Sequence, residues 1–211
     1  MIAENKMISQ IEVNNIKLDE VRNAAITLFH AFKEDPLITW IFQDKKLYEE
    51  KAVELFETWV KYCVLYGKGI KTNDFKSIAL RKKPGDLKLP IWRLFRSGMF
   101  KTPSILGKEA FKRLIEFDKL SSLEKQKNMG KQLFWYCWVL GTDPKYQHRG
   151  YGGALMEYTF EMAKQDQLPC YLETASETSM QLHLHKGYKL LSKFTLPHSD
   201  INIYAMLRES R

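Results

Sequence analysis

The second half of the chain alternates between apolar runs of strand length and amphipathic stretches with a helical period. Phe134–Gly141 is a continuous apolar run, which is typical of a strand buried on both faces. The pattern after it predicts a helix, a strand, a short helix and two further strands, over Gly152–Gln165, Cys170–Ala175, Thr178–Lys186, Tyr188–Thr195 and Ile201–Leu207. This order predicts an α/β fold with helices layered on a mixed sheet.

The first half of the chain is mainly helical in its pattern. A short alternating run over Gln10–Val13 predicts a first strand. Asp19 is the predicted N-cap of an amphipathic helix, which Pro36 ends because proline donates no amide hydrogen. A second helix is predicted over Leu47–Tyr66, and Ile70–Leu80 is predicted to be extended.

A basic segment over residues 86–130 separates these two halves. Its pattern predicts two helical pieces, around Trp92–Phe100 and Lys108–Lys127. No repeat and no low-complexity stretch interrupts the chain, so we expect one domain over residues 1–211. In that interpretation a variable N-terminal half, residues 1–133, carries the basic insertion, and residues 134–208 form the core.

Composition narrows the class of protein. The 211 residues are 45% hydrophobic and 13% aromatic, which excludes a disordered chain. The longest apolar run, Leu133–Leu140 with the predicted strand inside it, has eight residues, far below the roughly 20 that a membrane-spanning helix needs. Three dispersed cysteines without zinc-site spacing predict free thiols and no metal. The first residues lack the order of a signal peptide, so we expect a cytoplasmic protein.

The net charge of +8 admits nucleic acid, an anionic membrane or a phosphorylated small molecule as a partner. Residues 68–113 hold thirteen Lys and Arg against three Asp and Glu, so the surplus is concentrated there. The aromatic residues among these charges, Trp92, Phe95 and Phe100, fit an amphipathic helix better than a platform for stacked bases. We therefore expect neither nucleic acid nor a membrane as partner.

A glycine-rich segment, residues 147–156, lies between the apolar strand and the following helix. Gly150, Gly152 and Gly153 let the backbone approach a ligand closely, and a helix that starts there attracts a pyrophosphate. The dinucleotide-binding fingerprint fits poorly, and the Lys-Ser/Thr end of a P-loop is missing. A turn that only tightens the junction of strand and helix is the structural alternative.

Read as Gln-x-x-Gly-x-Gly after Leu140-Gly141-Thr142, this segment resembles the coenzyme A signature of the GNAT superfamily of N-acetyltransferases. Leu172-Glu173-Thr174 and His185-Lys186-Gly187-Tyr188 are similar to further superfamily segments. Ala31-Phe32-x-x-Asp35-Pro36 and the closing Tyr204-x-Met206-x-Arg208 resemble the branch that includes puromycin N-acetyltransferase.

The resemblance implies a mostly antiparallel sheet that is split between two parallel strands, with acetyl-CoA held in the opening. The amide of Leu140 would face the thioester oxygen, Thr142 would bind the pantetheine arm, and the amides of Arg149 to Gly153 would bind the pyrophosphate. The implied cofactor-binding residues are Leu140, Gly141, Thr142, Gln147, His148, Arg149, Gly150, Tyr151, Gly152, Gly153 and Ser179.

Two residues are candidates for catalysis. Glu173 lies at the carboxyl end of its strand, where an apolar setting would raise its pKa and favour a role as the base that deprotonates the amine. His183 replaces the tyrosine of the superfamily pattern, and a histidine can protonate a leaving thiolate near neutral pH. Each has a structural alternative: Glu173 binding a backbone amide or a partner charge, and His183 as a partly buried helix residue.

The acceptor side is predicted from the first helix onward. Asp35 and Trp40 would hold an ammonium group by charge and cation–π attraction, and Tyr136 on the apolar strand is a third candidate. Helix termination and core packing are the alternatives for all three. The function we expect is acetyl transfer from acetyl-CoA to a small-molecule amine. Rival hypotheses are a protein lysine or N-terminal acetyltransferase, a catalytically silent acyl-CoA-binding module and, from charge alone, a nucleic-acid-binding protein. A homodimer is compatible with the sequence, although no feature supports it.

Overall fold

The structure is a computed structural model that describes residues 11–210. Its strands are β1 (Val13–Asn15), β2 (Lys68–Thr72), β3 (Ser77–Lys82), β4 (Trp135–Thr142), β5 (Cys170–Thr174), β6 (Lys189–Thr195) and β7 (Asn202–Arg208). Its helices are α1 (Val21–Phe32), α2 (Pro36–Phe42), α3 (Lys45–Tyr66), α4 (Ile91–Ser97), α5 (Thr102–Met129), α6 (Tyr151–Gln165) and α7 (Glu177–His185). Short 3-10 turns cover Leu18–Glu20, Met99–Lys101 and Pro144–Tyr146.

The seven strands form a single sheet in the order β1-β2-β3-β4-β5-β7-β6. Every neighbouring pair is antiparallel except β4 and β5, which are parallel. The paired register of β4 and β5 ends at Cys137 and Leu172, although β4 continues to Thr142. The predicted fold class, a mixed and mostly antiparallel sheet split between two parallel strands, is therefore confirmed.

Helices cover both faces of the sheet. On one face, α1 and α3 pack against β3 and β4, with Leu28, Phe56 and Leu80 buried in a shared core. On the other face, α6 packs against β4 and β5 through Met156 and Phe160. Strand β4 is thus buried on both sides, as its continuous apolar run predicts.

Most predicted elements are confirmed, with four corrections. Asp19 lies inside a 3-10 turn, so it is not the N-cap of α1. Pro36 does not itself end α1, which stops at Phe32; it is the first residue of a further helix, α2, and Asp35 is the N-cap of that helix. The extended region 70–80 is a hairpin, β2 and β3, in which Phe75 has a positive φ of 53° at the turn. The first strand is predicted over Gln10–Val13, whereas β1 covers Val13–Asn15; Ile11 and Glu12 are not part of it, and Gln10 lies outside the described residues.

The basic segment folds into α4 and α5 and adds to the core. Gly107, with a φ of 72°, breaks α5 into two helical runs. Ile105, Leu106 and Ala110 are buried against the helices of the first half. The segment is therefore packed against the rest of the fold and does not form a separate unit. In the described part of the chain, no helix is long and apolar enough to cross a membrane.

Candidate functional site

The opening between β4 and β5 leads into a cavity of about 460 Å³. At one end the cavity is lined by Leu140, Thr174, Ser179 and His183. At the other end it is lined by apolar side chains of α2, α4 and α5. The pairing of β4 with β5 stops at Cys137, and the cavity begins where the two strands separate.

The glycine-rich segment lies at the end of β4 and leads into α6. Gln147 donates from Nε2 to the carbonyl oxygen of Thr142 at 3.3 Å, which ties the loop to the strand. Gly150 has a φ of 83° and caps α6. The amides of Tyr151, Gly152 and Gly153 are in the first turn of a 15-residue helix and have no acceptor within it. This geometry suits a pyrophosphate.

The basic side chains beside this loop include one that the sequence did not reveal. Lys145, His148 and Arg149 are exposed on the loop itself. Lys76, from the β2–β3 hairpin, donates to the hydroxyl of Tyr151 at 3.2 Å and pairs with Asp74 at 2.6 Å. Only the pairing of β3 with β4 brings Lys76 to the loop, so no local motif could have found it.

Gly141 has a packing role that the sequence did not show. A Cβ at this position would lie 2.8 Å from Ala31 Cβ and from Phe32 Cε2, so α1 crosses β4 too closely for any side chain. The Oγ1 atom of Thr142 lies 2.9 Å from Ser77 Oγ on the neighbouring strand. Thr142 therefore has a partner already, whereas Leu140 faces the cavity.

Glu173 lies inside a network of hydroxyl and ammonium groups. Its Oε2 accepts hydrogen bonds from Ser121 at 2.5 Å, from Tyr136 at 3.0 Å and from Lys125 at 3.3 Å. Its Oε1 accepts one from Tyr171 at 3.1 Å. The side chain of Glu173 is only 3% exposed and that of Lys125 only 10%. A base role would therefore use Oε1, the less occupied oxygen, which lies at the carboxyl end of β5.

His183 is buried on α7, and its Nδ1 has no hydrogen-bond partner among residues 11–210. Its ring packs edge-on against Tyr188, with the centroids 5.3 Å apart. Burial, together with the smaller effect of the positive charge of Arg81, lowers the pKa of His183 to about 4. At pH 7 roughly one molecule in a thousand would carry the imidazolium. The ring can therefore donate a hydrogen bond but is a poor source of a full proton.

The three predicted acceptor residues are not equally placed. Tyr136 lines the cavity and donates to Glu173. Asp35 also lines it and accepts the amide of Ile38 at 3.0 Å as the cap of α2; burial raises the pKa of its carboxyl to about 6. Trp40 is buried in the core on another face of α2 and is not part of the lining. The structure does not bring Trp40 to the site.

The acceptor end of the cavity is apolar and largely built from the basic segment. Apolar and aromatic side chains of α2, α4, α5 and the 3-10 turn between α4 and α5 form most of this wall: Leu37, Ile38, Ile41, Leu94, Met99, Phe100, Phe111, Leu114 and Phe117. Charged side chains beside them come from Asp118, Lys82 and Arg81. The sequence predicted helices here but could not show which of their residues face inward. Among residues 11–210 no cluster of three or more His, Cys, Asp or Glu could hold a metal ion.

A sheet split at one parallel pair, beside a glycine-capped helix, is the arrangement that the resemblance to the GNAT superfamily implies. Residues 110–188 match the sequence model of the "Acetyltransferase (GNAT) family". This region of the chain, which includes the glycine-rich segment and α6, is thus similar to that family. The match begins at Ala110, so the similarity extends into α5 and into the basic segment that is predicted to be an insertion. The puromycin-like branch stays a prediction.

Individual relatives agree with this class. An "uncharacterized N-acetyltransferase" of Schizosaccharomyces pombe is 26% identical over 204 residues, which cover 92% of this chain and 81% of the relative. A solved structure described as histone acetyltransferase HPA2 and related acetyltransferase, from Corynebacterium glutamicum, has a TM-score of 0.68 at 20% identity and covers 94% of this chain and 96% of its own. Arylalkylamine N-acetyltransferase 2 of Aedes aegypti has a TM-score of 0.63 at 13% identity, covering 96% and 100%. The structural likenesses are to the fold.

Proposed function

We propose that the protein transfers an acetyl group from acetyl-CoA to a primary amine of a small molecule, by direct attack in a ternary complex. One observation carries this proposal. A single cavity joins the split of the sheet, where the glycine loop and α6 begin, to an apolar chamber under α4 and α5. The two substrates would enter from opposite ends and meet between Leu140 and Glu173.

The loop side fits acetyl-CoA, which GNAT enzymes use. The free amides of Tyr151, Gly152 and Gly153 would bind the pyrophosphate, and Lys76 and Arg149 would add positive charge near it. The backbone of Leu140 and Gly141 continues past the point where β5 leaves β4, so an amide there is free to bind the thioester oxygen. Such a donor stabilises the charge that develops on that oxygen.

The chemistry requires a neutral amine and a route for its proton. The amine nitrogen would form the new C–N bond with the acetyl carbon while the C–S bond breaks. Glu173, through Oε1 or a water, would take the proton that the amine loses. His183, as a neutral ring, would stabilise the leaving sulfur by donating a hydrogen bond, and solvent would supply the proton that the thiolate finally takes.

The chamber supports an acceptor with an apolar body rather than a protein tail. Its walls are mainly apolar or aromatic, and α4 and α5 cover it. The named activity of the mosquito neighbour, on arylalkylamines, is consistent with such an acceptor. An amine on an aromatic or aliphatic chain would bury its body against Phe111, Leu114 and Phe117 and present its nitrogen to Glu173.

The test is release of coenzyme A thiol by the purified protein with acetyl-CoA and a panel of amines. The panel holds 2-phenylethylamine, L-phenylalanine, agmatine, spermidine, an aminoglycoside and a lysine peptide. We expect amine-dependent thiol release with a small amine of apolar body, and a product that has gained one acetyl group. Preference for the lysine peptide would support the protein acetyltransferase instead. Tight acetyl-CoA binding without release for any amine would indicate a silent binding module and contradict the proposal.

A further inference from the structure

Lys82, the last residue of β3, is a buried cation that lines the acceptor chamber. The residue is 5% exposed. Its Nζ lies 4.2 Å from the centroid of the Trp138 indole and 5.8 Å from that of the Tyr136 ring. These two rings belong to β4 and flank the same chamber. Lys82 is thus held over aromatic faces at the place where an acceptor would be bound.

The ammonium group of Lys82 has no carboxylate or hydrogen-bonding partner in the part of the chain that the structure describes. Among residues 11–210 it forms no ion pair within 4.0 Å and no side-chain hydrogen bond. Its neighbour in space, Lys125, differs because it pairs with Glu173 at 3.3 Å and donates to Ser121. Most buried ammonium groups are paired, because burying a charge without a partner is expensive.

The charges around Lys82 do not compensate it. Glu173 is neutralised by Lys125, and the Cys63 thiol is uncharged because burial raises its pKa to about 12. Asp118 is exposed to solvent, and it lies beyond ion-pair distance. Burial lowers the pKa of Lys82, so an anion brought into contact with the ammonium would restore the charge that desolvation disfavours.

We propose that Lys82 is the anion-binding residue of the acceptor site, so that the acceptor is an amine that also bears a carboxylate. This inference rests on the proposed acetyl transfer and deepens it. The class of acceptor is an amino acid or a similar zwitterion with an apolar or aromatic side chain. Its carboxylate binds Lys82, its amine faces Glu173, and its side chain occupies the apolar wall of α4 and α5.

The same charges argue against a polyamine or agmatine as the preferred acceptor. Of the carboxylates that line the cavity, Glu173 is already paired with Lys125, Asp35 caps α2 and Asp118 is exposed to solvent, whereas the cationic residues of the lining, Lys82 and Arg81, are both buried. A second cationic group of the acceptor would approach the buried ammonium group of Lys82. Repulsion between like charges is strong in such a setting.

The experiment compares L-phenylalanine with 2-phenylethylamine, because the two amines share an aromatic body and differ by the carboxylate. We expect kcat/KM of the wild-type protein to be at least about ten-fold higher for L-phenylalanine, the size of one charge-assisted hydrogen bond. In Lys82→Met the ratio of the two kcat/KM values should fall by about ten-fold, and Lys82→Arg should recover part of it. Lys83→Met, at the adjacent exposed lysine, is the control and should keep the wild-type ratio.

Two results would overturn the inference while leaving acetyl transfer intact. One is a wild-type protein that acetylates 2-phenylethylamine at least as well as L-phenylalanine, a result that needs no variant. The other is a Lys82→Met protein with an unchanged ratio, which would make Lys82 a packing partner of Trp138 only.

A second measurement separates this inference from the proposed function. N-acetyl-L-phenylalanine is titrated calorimetrically into the protein with coenzyme A present. If no amine is acetylated, the proposed function fails; binding that is lost in Lys82→Met would then still support the anion site. Absence of binding, or equal binding to both proteins, would contradict it.

Discussion

His183 is a residue whose burial controls both its chemistry and its contribution to stability. Its pKa lies at about 4 in the folded protein, against 6.5 in an unfolded chain. Between these pH values the unfolded state binds more protons, so the free energy of unfolding rises with pH through this window. The contribution is fully present above pH 6.5 and is lost as pH falls through about 4.

His183→Phe should therefore make the protein less sensitive to acid. The wild-type protein should lose up to about 3 kcal/mol more stability than the variant between pH 7 and pH 4, since one pKa unit corresponds to about 1.4 kcal/mol. Denaturant unfolding at these two pH values measures the difference. His185→Phe, at an exposed histidine of the same helix, is the control. Equal acid sensitivity of His183→Phe and the wild type would show that His183 is not buried as a neutral ring.

At the scale of elements, the sequence predicted what depends on local pattern. Strand β4, helix α6 and the glycine loop between them are contiguous, so periodicity and glycine spacing were enough to place them. The contacts that complete the site join distant segments. Lys125 meets Glu173 across 48 residues, and Lys76 meets Tyr151 across 75. No pattern within either segment indicates its partner, which explains why these residues were missed.

The bulge in β4 is another feature that local pattern could not reveal. The pairing with β3 shifts between Leu80 and Arg81, which face Val139 and Cys137 and leave Trp138 without a partner in register. A bulge changes which side chains face each side of the sheet. After the bulge, Val139 and Gly141 lie on the face of the sheet that α1 and α3 cover. Strict alternation from Trp135 and Cys137 would have placed both residues on the opposite face, against α6.

Gly152→Glu tests the role of the loop and of α6. A side chain at Gly152 would begin 3.0 Å from Thr142 Oγ1, and its carboxylate would occupy the position of a pyrophosphate. The affinity for acetyl-CoA should fall by at least about 100-fold, because the new carboxylate would repel the pyrophosphate and block its access to the free amides. The thermal midpoint should hardly change, since a carboxylate is favourable at a helix N-terminus.

The control for this variant is Gln165→Glu, which adds the same charge at the exposed far end of α6. It should bind acetyl-CoA as the wild-type protein does. Calorimetric titration of acetyl-CoA into the wild-type protein and into each of the two variants measures the three affinities. Unchanged affinity of Gly152→Glu would mean that the phosphate site lies elsewhere on the molecule.

For the whole molecule, the structure shows that part of the surplus positive charge is buried. The net charge is +8, and the sequence concentrates its surplus in residues 68–113. Three of these cations, Lys71, Arg81 and Lys82, are buried at 8%, 1% and 5% exposure. Lys71 pairs with Glu20 at 3.2 Å, and Arg81 donates to Thr159 and to two backbone carbonyls. Part of the surplus therefore shapes the interior and the acceptor chamber rather than an outer surface for nucleic acid.

The proposed acetyl transfer is tested most directly by initial rates measured while the concentrations of acetyl-CoA and the best amine are both varied. Direct attack in one cavity predicts intersecting double-reciprocal lines, one acetylated amine for each thiol released, and no thiol release without amine. Parallel lines with a burst of thiol before any amine is added would contradict it, because they indicate an acetylated enzyme; so would acetyl-CoA binding without an acetylated product from any amine.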